Sequence, residues 1–233
     1  MITSKDNEKL KLVRRLRGRK HRRREGLLVA DGEDLLEAGL SAGREPELVL
    51  SAAGSGLGGD EVAPELLGSI STLGSGTRVI SVWRQLWSGP RGPVCVYLHG
   101  VGDPGNVGAL IRTADALVDG AVVLGPGCAD PFSPKAMRAS MGSAFTQPLA
   151  LGGIESTPRP RIAMLAHGGD EPAPGGEPVT LCLGAERDGL PEDVVAACEE
   201  RWTIPLRAGG AESLNVAAAA AIALGRISSA AAE

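Results

Sequence analysis

The stretch Val94-Cys-Val-Tyr-Leu98, His99-Gly-Val-Gly-Asp-Pro-Gly105, Asn106-Val-Gly-Ala-Leu-Ile-Arg-Thr-Ala-Asp-Ala-Leu-Val118 reads as strand, glycine-rich turn and helix in direct succession. Apolar residues without polar alternation describe a strand buried on both faces, as in a parallel sheet covered by helices. In the helix, Val107, Leu110, Ile111, Ala114, Leu117 and Val118 follow helical spacing and form one apolar stripe. Gly108, Arg112, Asp115 and Asp119 are left largely on the other side, so Arg112 is expected to face away from the core. Taken alone, Arg112 is a solvated arginine beside Asp115, and Asn106 is a helix N-cap. The turn Gly100 to Gly105 also fits G-x-G-x-x-G, which raises a dinucleotide site. Two features oppose it. The next strand, Ala121-Val-Val-Leu124, ends in Gly125-Pro126 instead of the acid that would hold a ribose, and Pro104 lacks the N–H such a loop would aim at pyrophosphate.

Further apolar runs at Ile162 to Ala166 and Val179 to Leu183 extend the parallel sheet, with a loop over Gly168 to Pro178 between them. Upstream, Ser88-Gly-Pro-Arg-Gly-Pro93 is a turn-rich break, and the domain boundary is drawn there, giving 1–88 and 89–233. The first part alternates short apolar runs (Leu27 to Ala30, Glu47 to Leu50, Arg78 to Val82) with helical patterns (Glu33 to Leu40, Glu61 to Leu67), and a Gly/Ser loop spans Ser51 to Asp60. This describes a small α/β layer. The fold class is therefore α/β throughout.

The chain has 233 residues, 43% of them hydrophobic, which is enough to bury a core, and its 33 glycines and 16 prolines fall short of a low-complexity composition. No apolar run approaches the roughly 18 residues of a membrane span, and the charged N-terminus has no apolar signal region. A cytoplasmic protein is expected. Cys95, Cys128, Cys182 and Cys198 form no C-x-x-C pair, so neither zinc nor a disulfide framework is indicated. The net charge of −4 conceals an asymmetry: residues 1–25 hold 11 Lys/Arg against three acids. Such a basic segment attracts phosphate polyanions, which makes Arg14, Arg15, Arg17, Arg19, Lys20, Arg22, Arg23 and Arg24 candidate RNA contacts on a solvated helix or flexible arm.

Two more segments carry polar groups at strand or helix ends. In Leu181-Cys-Leu-Gly-Ala-Glu-Arg-Asp-Gly-Leu-Pro191, a buried strand opens into a loop bearing Glu186, Arg187 and Asp188, and Pro191 is placed at the start of a helix. In Ile204-Pro-Leu-Arg-Ala-Gly-Gly-Ala-Glu-Ser-Leu-Asn-Val216, Ser213 is placed as the cap of an alanine-rich helix. Between Leu214 and Leu224 that helix is apolar all round except for Asn215, so it is expected to be buried on every side.

Taken in order, Asn106-x-Gly108-x-x-x-Arg112, Leu183-Gly-Ala-Glu186-x-x-Gly189-Leu-Pro191, Ile204-Pro-Leu206 and Ser213-Leu-Asn-Val216 resemble the three motifs of the SpoU (TrmH-like) RNA ribose 2′-O-methyltransferases of the SPOUT superfamily. Asp130-Pro-Phe-Ser-Pro-Lys-Ala-x-Arg138-x-Ser140-x-Gly142 matches the same pattern, and the likeness covers about 89–229. More loosely, Lys11 to Val49 resembles that family's ribosomal-protein-like RNA-binding domain, departing from it at Ala30-Asp31.

The resemblance implies a C-terminal parallel-sheet domain with a deep trefoil knot, preceded by a small α/β RNA-binding domain, in a homodimer. It implies S-adenosylmethionine as cofactor, bound at Gly184, Ile204, Leu206, Leu214 and Asn215, and no metal. Arg112 is the main catalytic candidate. Asn106 would fix loop and substrate geometry, Glu186 and Ser213 would orient neighbouring groups, and Asn215 would hold the site by hydrogen bonds. Guanidinium stays protonated in proteins, so phosphate clamping and stabilisation of a developing alkoxide suit Arg112 better than base action. His99, at the strand end, is an alternative base. The expected substrate is ribosomal RNA, with tRNA, or a non-catalytic RNA-binding protein on the same fold, as alternatives.

Overall fold

The computed structural model describes residues 1–174 and 178–229. The chain divides into two compact units, one formed by residues 1–86 and 130–146 and the other by residues 87–129 and 147–233. The division differs from the boundary expected at 88/89, because residues 130–146 leave the second unit and pack with the first.

In the first unit, α1 (Glu8–Leu16) and α2 (Arg19–Glu25) precede β1 (Leu27–Asp31), α3 (Glu33–Ser41), β2 (Leu48–Ala52), β3 (Asp60–Val62), α4 (Pro64–Ile70) and β4 (Val79–Arg84). The sheet order is β1-β4-β2-β3, antiparallel except for the β2/β3 pair. The basic stretch is no flexible arm. Leu10, Val13 and Leu16 recur at helical spacing and are fully buried against Val29, Leu50, Ile80 and Val82, so α1 supplies part of the core. β3 stands where the sequence pattern starts a helix at Glu61. Its two acidic residues hide it, and only Val62 enters the core, while Pro64 delays α4 to its own position.

The returning segment carries α6 (Pro134–Ser140), capped by Ser133, whose hydroxyl accepts from the Ala136 N–H. Asp130 receives the Arg22 guanidinium at 2.7 Å, and Phe145 lies 4.9 Å from Trp83 between ring centroids. At Gly142, with φ of +94°, a Cβ would lie 2.4 Å from that of Ala38, so the turn after α6 requires glycine on both conformational and steric grounds.

In the second unit, β5 (Val94–Leu98), α5 (Pro104–Leu117), β6 (Val122–Leu124), β7 (Leu149–Leu151), β8 (Arg161–Met164), β9 (Val179–Leu183), α7 (Glu192–Ala196), β10 (Glu200–Trp202) and α8 (Val216–Ser229) follow in order. Six parallel strands stand in the order β10-β8-β9-β5-β6-β7. The central strands β5 and β9 are buried at every position, as their unbroken apolar runs require. β7 and β10 escape the pattern because each has three residues, and β10 is two charges followed by a buried Trp202. Of the loop expected over 168–178, residues 175–177 lie outside the described residues. Cys95, Cys128 and Cys182 are buried and form no disulfide among the described residues, consistent with small apolar fillers.

α8 packs on α5 but is not buried on every side. Val216, Ala220, Ala223, Leu224 and Ile227 face inward, whereas Ala218, Ala221 and Ile222 are exposed. Alanine carries too little apolar surface to specify a face, so neighbours decide which alanines are covered.

Candidate active site

The carboxyl ends of parallel strands are where open α/β sheets bind ligands, since the connections there diverge and leave backbone groups free. At the ends of β8 and β9 lies a cleft of about 300 Å³. Its apolar walls include Met164, Leu183, Ile204 and Val216, and its polar lip is formed by Glu186, Arg187, Glu212 and Ser213. Of the residues expected to bind a cofactor, Gly184, Ile204, Leu206 and Leu214 line this cleft and Asn215 does not. Glu212, Arg187 and His167 also line it and were not singled out as ligands. Their proximity arises from loops meeting across the sheet, which periodicity does not encode.

The β9 loop is shaped by glycine. Ala185 and Gly189 exchange backbone hydrogen bonds (3.1 and 3.0 Å), folding the loop back on itself. A Cβ on Gly184 would lie 2.1 Å from the Gly189 carbonyl carbon, so no side chain is tolerated there. The fold-back presents Glu186 to α5, where its carboxylate accepts from the Asn106 side-chain amide.

Asn106 does not cap α5. Asp103 does, accepting from the N–H groups of Gly105 (2.7 Å) and Asn106 (3.1 Å), with Pro104 in the first turn. Two consequences follow. A carboxylate already fills the helix N-terminus, which disposes of a pyrophosphate there and of the dinucleotide reading with it. The Asn106 side chain is also free to bridge, with its Nδ2 donating to Glu186 and its Oδ1 accepting from Asn215 Nδ2 at 3.0 Å. Asn215 in turn caps α8, its Oδ1 accepting from the Ala217 N–H at 2.9 Å. Ser213, expected as that cap, is exposed and makes no hydrogen bond among the described residues. Three of the five catalytic candidates thus form one connected chain, Glu186–Asn106–Asn215, drawn from three separate segments.

Arg112 is exposed on α5 and makes no ion pair or hydrogen bond among the described residues, so its guanidinium fork is available to an incoming anion. Gly108, read as outward, is buried. His99 is partly buried, with Nδ1 3.1 Å from the Tyr97 hydroxyl. Burial, reinforced by nearby ionisable groups, pushes that phenol up to about 12, so the Tyr97 hydroxyl stays protonated. This arrangement assigns His99 a structural partner. No group of three or more His, Cys, Asp or Glu side chains among the described residues is arranged to hold a metal.

Among the basic residues of the first unit, Arg22 is 3% exposed, paired with Asp130 and also donating to the carbonyls of Leu16 and Arg17. Arg17 makes a two-pronged pair with buried Asp31 (2.8 and 2.7 Å), which also accepts from Thr72. These two arginines serve the fold. Arg14, Arg15, Arg19, Lys20, Arg23 and Arg24 are exposed.

Residues 93–225, more than half of the chain, match the SpoU rRNA Methylase family. An uncharacterised tRNA/rRNA methyltransferase of Mycobacterium bovis is 37% identical over 54% of this chain, and the match spans 48% of that relative. The chain thus spans about half the length of such curated relatives. A 23S rRNA (guanosine(2553)-2′-O)-methyltransferase of Bacillus subtilis, RlmP, is 29% identical over 95% of this chain and 96% of its own length. Among solved structures, an AdoMet-bound rRNA methyltransferase from Sinorhizobium meliloti superposes with a TM-score of 0.83 at 30% identity, covering 96% of this chain and 95% of its own. With its parallel sheet, its glycine-closed β9 loop and the junction of Glu186, Asn106 and Asn215, this chain belongs to the SpoU rRNA methylase family.

Proposed function

We propose that this chain transfers a methyl group from S-adenosylmethionine to a ribose 2′-hydroxyl of ribosomal RNA, in the cytoplasm. The observation that carries the reading is the Glu186–Asn106–Asn215 chain of hydrogen bonds beside the cleft at the ends of β8 and β9. The cleft fits the donor chemically: apolar walls suit a flat purine, and Glu186 and Glu212 on the lip complement a group with positive charge on sulfur and nitrogen. Bound there, S-adenosylmethionine supplies a methyl group on a cationic sulfur.

Gly184, Ile204, Leu206 and Leu214 would hold this group, and Asn215 would fix the position of the α8 N-terminus beside it. Asn106, tied on both sides, keeps the start of α5 in a fixed orientation toward the β9 loop, so that Arg112 is presented from a rigid helix. Arg112 clamps the phosphate next to the target ribose and stabilises negative charge building on the 2′ oxygen as its proton leaves to solvent. Ser213, on the lip without a partner among the described residues, is available to orient the ligand.

Exposed Arg14, Arg15, Arg19, Lys20, Arg23 and Arg24 supply the sequence-independent attraction of the first unit, residues 1–88 in the sequence division, for phosphate. The near full-length likeness to a relative named for 23S rRNA supports ribosomal RNA as substrate. A deep trefoil knot in the domain read as 89–233 is part of the same reading, supported by the return of Asn215 to Asn106 after the cleft-lining segment that begins at Ile204. A homodimer is supported by the exposed apolar face of α8, Ala218, Ala221 and Ile222, together with half-exposed Leu214.

The test is methyl transfer from labelled S-adenosylmethionine to ribosomal RNA and to tRNA, with the product nucleosides resolved after digestion. A 2′-O-methylnucleoside from ribosomal RNA is expected. Base methylation would overturn the reaction assigned, and labelling confined to tRNA would overturn the substrate.

A further inference from the structure

The wall of the cleft contributed by the end of β8 carries one polar side chain, that of His167, for which none of the motifs accounts. Its position is built by the fold. Beyond β8 the chain stays pinned to the β10 segment at both ends of a four-residue excursion. The Leu165 N–H donates to the Trp202 carbonyl (2.8 Å). Past the excursion, the Asp170 N–H donates to the Arg201 carbonyl (2.9 Å), and the Asp170 carbonyl accepts from the Thr203 N–H (2.8 Å). Inside the excursion, the Gly169 N–H donates to the Thr203 hydroxyl at 2.9 Å. Gly168 has φ of +78°, and a Cβ on Gly169 would sit 2.7 Å from the Arg201 carbonyl oxygen, so both glycines are needed to bring the turn this close to β10. His167 therefore sits on a short, anchored turn against the segment that continues to Ile204 in the cleft wall.

The imidazole is exposed, lines the cleft and makes no hydrogen bond or ion pair among the described residues. Both of its nitrogens are available to a ligand. Its neighbours in the wall, Met164, Leu165 and Ala166, are apolar, whereas Glu186, Arg187, Glu212 and Ser213 belong to the segments after β9 and before α8. In the sheet order β8-β9-β5, the Asn106–Glu186 contact spans from the β9 loop to the helix after β5, on the side of β9 away from β8. The cleft thus has an apolar wall at the end of β8 that carries His167, and polar groups supplied by the β9 loop and the segment before α8.

We propose that His167 binds the nucleoside half of the methyl donor, its imidazole hydrogen-bonding the ribose hydroxyls while the purine lies against the apolar wall. The inference rests on the cleft being the S-adenosylmethionine site. A purine needs the apolar wall, and the ribose attached to it then lies beside that wall, where His167 offers both a donor and an acceptor. The charged amino-acid half is drawn to the carboxylates on the polar lip.

The experiment is calorimetric titration of the full chain with S-adenosylmethionine and with 5′-methylthioadenosine, which keeps the nucleoside and lacks the amino acid. It compares the wild type with His167→Ala and His167→Asn, with ribosomal RNA present and absent. His167→Ala is expected to weaken both ligands by about tenfold, the effect of one good hydrogen bond, with an unchanged unfolding midpoint. His167→Asn, which retains a donor and an acceptor, should recover most of the loss. Unchanged affinity for both ligands in His167→Ala overturns the proposal, as does a loss for S-adenosylmethionine with none for 5′-methylthioadenosine. A wild-type chain that binds neither ligand, with or without RNA, overturns the S-adenosylmethionine reading itself, an outcome separate from failure of the His167 assignment.

Discussion

At the scale of single residues, similar letters do different work. Arg22 and Arg23 are neighbours in one basic run, yet Arg22 is buried against Asp130 and Arg23 is exposed. Removing one partner of a buried ion pair strands the other charge, so Arg22→Ala should cost about 3 kcal/mol, read from urea unfolding. Arg23→Ala should leave the unfolding midpoint unchanged and lower the salt slope of RNA binding by about one phosphate. Equal stability of the two variants would contradict the buried pairing. For Arg112, an exposed arginine without a partner among the described residues, the Ala variant should lose at least about a hundredfold in single-turnover methyl transfer while retaining RNA affinity. An equal loss in Arg112→Lys would assign the effect to the geometry of the guanidinium fork, and full activity in Arg112→Ala would remove the residue from the mechanism.

Elements acquire their roles through their ends. α5 is capped by Asp103, which frees Asn106, and α8 is capped by Asn215, which joins Asn106. Asn215→Ala should therefore cost about 1 kcal/mol of stability through the lost cap and also lower turnover, since Asn106 loses an anchor. Ser213→Ala should change stability by less than about 0.5 kcal/mol. Thermal unfolding of the two variants side by side separates them, and a Ser213→Ala as unstable as Asn215→Ala would mean that the cap has been misassigned. The strands were legible in proportion to their burial. β5 and β9, covered on both faces, stand where their apolar runs put them, while β3, β7 and β10 are too short or too charged to carry a period.

At the scale of the whole molecule, α8 leaves an apolar face that no other described residue covers, with Ile222 44% exposed. If a second copy covers it, wild type should elute as a dimer in size exclusion with light scattering, and Ile222→Asp, which places a charge in that face, should elute as a monomer with an intact far-UV spectrum. A monomeric wild type at micromolar concentration would refute the dimer. The assignment of residues 130–146 to the first unit is also a property at this scale. Asp130-Pro-Phe-Ser-Pro134 reads as one more loop-to-helix junction, and only the contacts of Asp130 with Arg22 and of Phe145 with Trp83 draw it out of the sheet domain whose strands flank it in sequence.

The sequence by itself determined the class of fold, the central strands, the outward direction of Arg112 and the three segments that carry the candidate polar residues. Each of these rests on local periodicity or on residue types at short spacing, which a single segment carries within itself. Tertiary structure alone decided which arginines are buried, which face of the alanine helix is covered, and that Glu186, Asn106 and Asn215 touch. The Glu186–Asn106 and Asn106–Asn215 contacts join partners 80 and 109 residues apart along the chain. A polar group is assigned its role by whichever donor or acceptor the fold brings within hydrogen-bonding distance, and no local pattern records that choice.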